Sequence, residues 1–552
     1  MFGRSIRKKF SSSHKAKRLR VERLESRQML SGIVNVYTQA VLGTTPAAFV
    51  AGDVYLQGDG LTNVVNMDQP TANPAQFSIF SDGATYFHLD GTSPTTTMAS
   101  VPLNDFNGNV FVDLGAGGKF TFSSPPAGPG APTVSTLELS LNIADGAGST
   151  NTISNAVIGG NLTVTKDTGT IGSSNLYITS STVLGSTAIT NGTPGGATGG
   201  NSSTIIDSCL LQGLPGAPAL TIDNGDGFNQ TTIQGLSQNG TAPLTPVANA
   251  VVILNGAEGS TTTFTGVSAA TAPVIYGGVR ITNGLTLPLQ SNQATFNNTQ
   301  VLGAVNIDNT AGGTASGDTQ VSVTSSKLGT HLTLGGPLVV TNGVGNNVFS
   351  MKGSQVPWGL LINNTSGPIS PVGNQTIIDS SYIGQTSTGA RPVGAVLPSP
   401  AVAGDAVFLK DGNGADTVIF RNGTVINGEL DLGALGGGIK NVSLDSSTMT
   451  ALALATGPGK DSVWIGGAII QTTMSVALGT GTNTLYLQKG NTSLASNSLP
   501  DFLNGVNGID GGLGTNYLDY DATDAPPPDI LHFQYVAVAP VAIPAWALMP
   551  NL

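Results

Sequence analysis

Charged side chains make up only 10% of the 552 residues, where an ordinary domain carries about 25%. With hydrophobic residues at 39%, the shortage does not signal disorder, because disordered chains couple high charge to low hydrophobicity. The single cysteine, Cys209, excludes a disulfide within the chain; in the strand-like run TIIDSCLL it reads as a small buried apolar residue. No apolar run reaches the ~20 residues of a membrane-spanning helix. The apolar tail at 535–549 is interrupted by Pro540 and Pro544, and reads as a terminal strand or cap. The four histidines, His14, His88, His331 and His532, include no pair at metal-ligand spacing. Glycine-rich turns are plentiful, but no Gly-Lys-Ser/Thr follows one, which excludes a phosphate-cradling loop.

The few charges are unevenly placed. Ten of the 21 basic residues lie in residues 1–27, leaving 11 basic against 30 acidic residues beyond, a formal charge of −19. A body this acidic repels nucleic acid and anionic lipid and attracts divalent cations. The basic start has no apolar core of the kind a secretory signal needs. Its straight-chain residues favour a helix over Arg18–Leu30.

Within that segment, VERLESRQMLS at 21–31 resembles the N-terminal segment of planctomycete extracellular proteins. The match rests on Leu24, Glu25, Arg27, Leu30 and Ser31. Met29 stands where the family prefers Leu, and Ser26 where it often has Pro or Asp. The resemblance covers residues 1–32 and implies export to the surface or exterior as part of a repeat-rich protein. It implies no enzymatic activity. The bare alternative is a disordered basic tail.

Beyond it, one phrase recurs: an alternating apolar strand, a Gly-rich turn with Asn or Asp, then another such strand. GDVYLQGDGLTNVVNM at 52–67, GELDLGALGGGIKNVSL at 428–444 and MSVALGTGTNTLYL at 474–487 are instances. Turn glycines Gly412, Gly433, Gly457 and Gly479 are spaced 21, 24 and 22 apart. Between these turns lie segments such as ITSSTVLGSTAIT and VSVTSSKLGTHLTL. One circuit therefore holds two or three strands, too short for βαβ units. The fold expected is all-β, a right-handed parallel β-helix, resembling repeat-rich β-helix surface proteins. About 23 residues per circuit gives on the order of 20 circuits and a rod near 100 Å. Asn63, Asn347, Asp416, Asn441, Asp461 and Asn483 are expected to stack beside the turns as a hydrogen-bonding ladder. The expected division is a targeting segment at 1–32, a cap at 33–51, the β-helix at 52–499, and final circuits with a second cap at 500–552. TIIDSCLLQG at 204–213 echoes TIIDSSYIGQ at 376–385, each followed by a loop insertion, at 212–218 and about 385–404.

Chemistry is sparse. GGLGTNYLDY and GNGADTVIF resemble calcium-binding nonapeptides, which makes Asp411, Asp416, Asp510 and Asp519 the calcium candidates. Asn516 replaces an acidic position, the copies are not in tandem, and a plain Gly-Asn turn is the alternative reading. No other cofactor is expected. A polysaccharide lyase would need a base beside acidic ligands, yet past residue 27 the arginines are only Arg280, Arg391 and Arg421, in no acidic cluster. A hydrolase would need neighbouring carboxylates, and Asp207 and Asp379 are 172 residues apart. Trp358 and Trp464 read as core residues, or as sugar platforms if exposed. The sequence points to a non-catalytic structural or adhesive protein, extracellular or at the cell surface. Its expected partners are glycans or envelope proteins, with no nucleic acid and no integral membrane segment. A polysaccharide-cleaving or glycan-binding β-helix is the alternative.

Overall fold

The computed structural model describes residues 32–38, 52–69, 76–81, 85–89, 98–102, 108–124, 134–166, 173–192, 201–214, 216–235, 250–266, 272–284, 291–310, 318–330, 335–343, 345–364, 373–384, 405–488, 508–520, 530–538 and 542–549. The targeting segment with Leu24, Glu25, Arg27, Leu30 and Ser31, as well as His14, His331, Arg391 and the 385–404 insertion, lies outside them.

Alternation builds the strands. In Leu141–Asp145, Leu141, Ile143 and Asp145 are buried while Asn142 and Ala144 face out. The chain then turns through Gly146 and Gly148 into Thr150–Ser154, bends at Asn155 into Ala156–Ile158, and returns to the first face as Leu162–Lys166. Leu162–Lys166 lies parallel and in register on Leu141–Asp145. Repeating that circuit gives a parallel β-solenoid with three faces. Face two holds 17 parallel layers, from Val64–Asp68 to Tyr535–Val538, a stack of about 80 Å at the usual strand spacing.

The rod has fewer and longer circuits than expected. A spacing of 21 or 22 residues holds between Asn441, Ser462 and Thr484. Elsewhere it is 25 (Thr150 to Asn175) or 28 (Ser174 to Ser202). Face three also changes along the axis. Short strands such as Thr182–Val183 and Gln355–Val356 give way to Val425–Leu435, one strand that serves faces three and one together through a register shift.

The interior is one continuous apolar column. On face two, Phe264 and Phe296 occupy consecutive layers with ring centroids 4.8 Å apart. Ile33–Tyr37 of the expected 33–51 cap extends face one beyond the first circuit, antiparallel to Val54–Gly58. Three further strands join the cap. Tyr86–Leu89 pairs with Ile33–Tyr37, while Gln76–Phe80 reverses against Val64–Asp68 and carries Met98–Pro102 on its far side. At the other end the apolar tail divides. Tyr535–Val538 is the last layer of face two. The short 3-10 turn Ala545–Leu548 folds back beside Lys440–Asp445, where Arg421 Nη1 donates to the Met549 carbonyl at 2.5 Å.

Candidate functional site

The polar residues that recur in every circuit gather at two corners. The corner between faces two and three turns on a single left-handed residue: Asn155, Ser180, Ser208, Asn298, Ser325, Ser380, Asn422 and Ser446 have φ of 48–55°. The next residue points inward, as at Ser181, Thr299, Ser326, Ser354 and Ser381, all buried. The four serine hydroxyls each accept an amide of the preceding layer, for example Thr299 N to Ser326 Oγ at 3.1 Å and Ser326 N to Ser354 Oγ at 3.1 Å. Cys209 holds this position in its own layer, buried as expected. Its thiol lies 3.2 Å from the Ile178 carbonyl and 3.1 Å from that of Asp207. Burial pushes its pKa up to about 12, which makes the thiol inert at neutral pH.

The corner between faces one and two holds two parallel ladders. The first closes the face-one strands. Each Nδ2 donates to the next Oδ1 along Asn191, Asn224, Asn255, Asn283, Asn309, Asn342 and Asn364, and the last donates to Asp411, at 2.5–2.8 Å throughout. The second opens the face-two strands. It includes Asn347, Asn374 and Asp416, then Lys440, Asp461, Asn483 and Asn516, linked through side chains and backbone amides. Of the expected ladder residues, Asn63, Asn347, Asp416, Asp461 and Asn483 are buried at that corner. Asn441 is not: it sits one place along, half-buried, and Lys440 takes the inward position.

The calcium candidates fall in two places. Asp411 and Asp416 flank one turn, both buried. Lys440 Nζ reaches into that turn, donating to the Gly412 carbonyl at 2.8 Å, the Gly414 carbonyl at 3.1 Å and the Asp416 carboxylate. An ammonium thus sits among the oxygens a cation would use. Burial raises the Asp411 pKa, with the Asp416 charge adding to the effect; Asn364 and Lys440 oppose it. Asp510 and Asp519 lie near the far end, four layers beyond Asp416 by register, or about 19 Å. Asp510 lies 2.7 Å from His532 Nδ1. Partial burial pushes the Asp510 carboxyl up, but the Gly512 amide and His532 outweigh it and leave a net lowering. Among the described residues, no group of three or more His, Cys, Asp or Glu is placed to hold a metal ion.

Asp207 and Asp379 are equivalent, as the echoed sequences imply. Each ends a face-two strand and accepts the hydroxyl of the left-handed serine after it, at 2.9 and 2.7 Å. Six layers separate them, about 29 Å, so they share no reaction centre. Asp379 also pairs with Arg421 at 3.1 Å. Trp358 and Trp464 are buried, so neither is a sugar platform. Trp464, with Ile377 and Ile419, lies on the outer side of face two, the side on which the C-terminal turn packs. A groove on the outer side of face one was not foreseen from sequence. Tyr55 and Phe111 stack there at 4.5 Å, flanked by Gln57, Asp113, Asn142 and Thr163. Alternation within GDVYLQG and GNVFVDLG was the available signal, since it places both rings outward.

No family model matches the chain, and no solved structure matches it significantly. In an alignment 413 positions long that covers 66% of this chain, it is 27% identical to the trimeric autotransporter adhesin AtaA of Acinetobacter sp. strain Tol 5, a match that spans about 10% of that protein.

Proposed function

We propose that this chain is an exported surface protein acting as a non-catalytic adhesive rod. The observation that carries the reading is the outer surface of face two. Thr232, Thr263, Thr295 and Ser322 form one axial row, and Gln230, Thr261, Gln293 and Gln320 a second. Such a carpet of hydroxyls and amides at about 4.8 Å intervals suits many weak contacts made together. The Tyr55–Phe111 groove adds an aromatic edge with amide and carboxylate neighbours, a combination that suits the apolar and polar sides of a sugar ring. The similarity to an adhesin supports the same reading. Glycans or other envelope proteins are the partners, and the segment 1–32 is the export address. The rod needs no calcium, so a chelator leaves its circular dichroism unchanged.

The test applies the purified full chain to a glycan array and to whole cells, beside an assay for reducing ends and unsaturated products. Retention that climbs steeply with surface density, without product release, is expected. Turnover of any bound polysaccharide overturns the proposal.

A further inference from the structure

The first ladder changes character at its N-terminal end. By register, the positions held by Asn191 and Asn224 are held in the two preceding layers by Lys166 and Asp145. Asn151 stands where Thr204 and Thr231 stand in later layers. There the ladder residue bonds the threonine across the corner, as in Asn191 to Thr204 at 3.2 Å and Asn224 to Thr231 at 3.1 Å. Asn151 therefore faces Asp145 across the same corner. All three side chains are almost completely buried. The Lys166 amine, one Asp145 oxygen and both polar atoms of Asn151 have no hydrogen-bond partner. The remaining Asp145 oxygen accepts the Leu114 amide at 3.0 Å. Opposite Lys166 in its own layer stands Leu176, so its amine meets no polar side chain there.

An amine and a carboxamide buried without partners beside a carboxyl with one free oxygen are costly to the fold. We propose that they react: Lys166 Nζ and Asn151 Cγ form an intramolecular amide, with Asp145 as the proton-transfer group. Burial favours the required protonation states. It lowers the Lys166 pKa to about 7, partly opposed by the Asp145 charge. It raises that of Asp145 to about 6, partly opposed by the Leu114 amide and Asn151.

The neutral amine attacks Cγ and forms the new C–N bond, while the Asp145 carboxyl donates a hydrogen bond to the carboxamide oxygen. A proton passes from the attacking nitrogen through Asp145 to Nδ2. The Cγ–Nδ2 bond then breaks and ammonia leaves. Amine and carboxamide become a secondary amide and ammonia, with no oxidant or co-reactant. The surrounding apolar column excludes the water that would compete. Asn191 is the other carboxamide beside Lys166, but its Nδ2 is already committed to Asn224 and Thr204. The product pins one solenoid layer covalently to the next.

The test is the mass of the purified full chain under denaturing conditions, followed by fragment mapping. The chain is expected to be lighter than its sequence by one ammonia, with a branched fragment joining Lys166 to Asn151. Asn151→Thr and Lys166→Asn carry the side chains that equivalent layers use, so the fold persists, and both restore the full sequence mass. Asp145→Asn also keeps the ladder and leaves the chain unlinked. An unmodified mass with separate linear fragments overturns the proposal, as does loss of water with Lys166 joined to Asp145.

Discussion

Each ladder asparagine both donates and accepts, which a buried corner demands of any polar side chain placed there. Asn255 accepts Asn224 Nδ2 and donates to Asn283 Oδ1, each at 2.6 Å. Asn255→Ala breaks two ladder bonds, leaving Asn224 Nδ2 only Thr231 and Asn283 Oδ1 only Ser260, and costs about 2 kcal/mol. Chemical denaturation with hydrogen exchange reads the loss, and in a stack of nearest neighbours protection falls first in the layers around 220–283. Unchanged protection there refutes the ladder's role. The second ladder was legible because its residues follow conspicuous glycine turns, as Asn347 and Asn483 do. The slip at Asn441 has a plain cause: Lys440 is charged, and a charged residue next to an asparagine reads as the outward one. Its stem instead runs inward and the turn carbonyls and Asp416 satisfy its charge. The first ladder went unseen because ITNG, IDNG and ILNG read as single turns, although Asn283, Asn224 and Asn255 are strand ends stacked on one another. Asp145 and Lys166 were hidden the same way, as ordinary turn residues.

The paired Ser and Thr residues of the short segments are legible as a motif, but their roles separate only in the folded corner. In VTSSKL the first serine, Ser325, takes the left-handed conformation at φ 49°, and the second, Ser326, enters the core. Glycine fills the same corner at Gly353 and Gly467, with φ of 57° and 62°. Ser325→Gly is therefore expected to be neutral within about 0.5 kcal/mol, whereas the β-branched Ser325→Val is destabilising by about 2 kcal/mol. Thermal melts of the two variants decide it. Equal melting temperatures mean that the corner does not enforce this conformation. This corner also explains the miscounted circuits. The corner keeps its single left-handed residue while the connections between strands differ in length, so a spacing taken from the regular stretch 406–488 undercounts residues per circuit elsewhere.

Across the whole molecule, most ordinary proteins lose stability as acid protonates paired carboxylates. This rod is built the other way. Burial raises Asp145 and Asp411, so the folded chain holds protons that the unfolded chain has released. For Asp145 that window runs from 3.8 to about 6. There the folded state binds more protons, and stability falls as pH rises by up to about 3 kcal/mol. Repulsion among surface carboxylates acts in the same direction. Asp411→Asn separates the two effects, because it keeps an acceptor for Asn364 and removes one raised carboxyl, so its profile is flatter than that of the parent. An unlinked Lys166 adds the opposite limb. Its pKa is lowered from 10.5 to about 7, so above pH 7 the unfolded chain binds more protons and stability rises with pH. An amide nitrogen does not titrate. Melts of the parent chain across pH 5 to 10 are therefore expected to show the falling limb without the recovery, while Asn151→Thr, which frees the amine, shows both. Identical recovery in the two proteins contradicts the cross-link, and a parent profile that rises from pH 5 to 7 contradicts the buried acids.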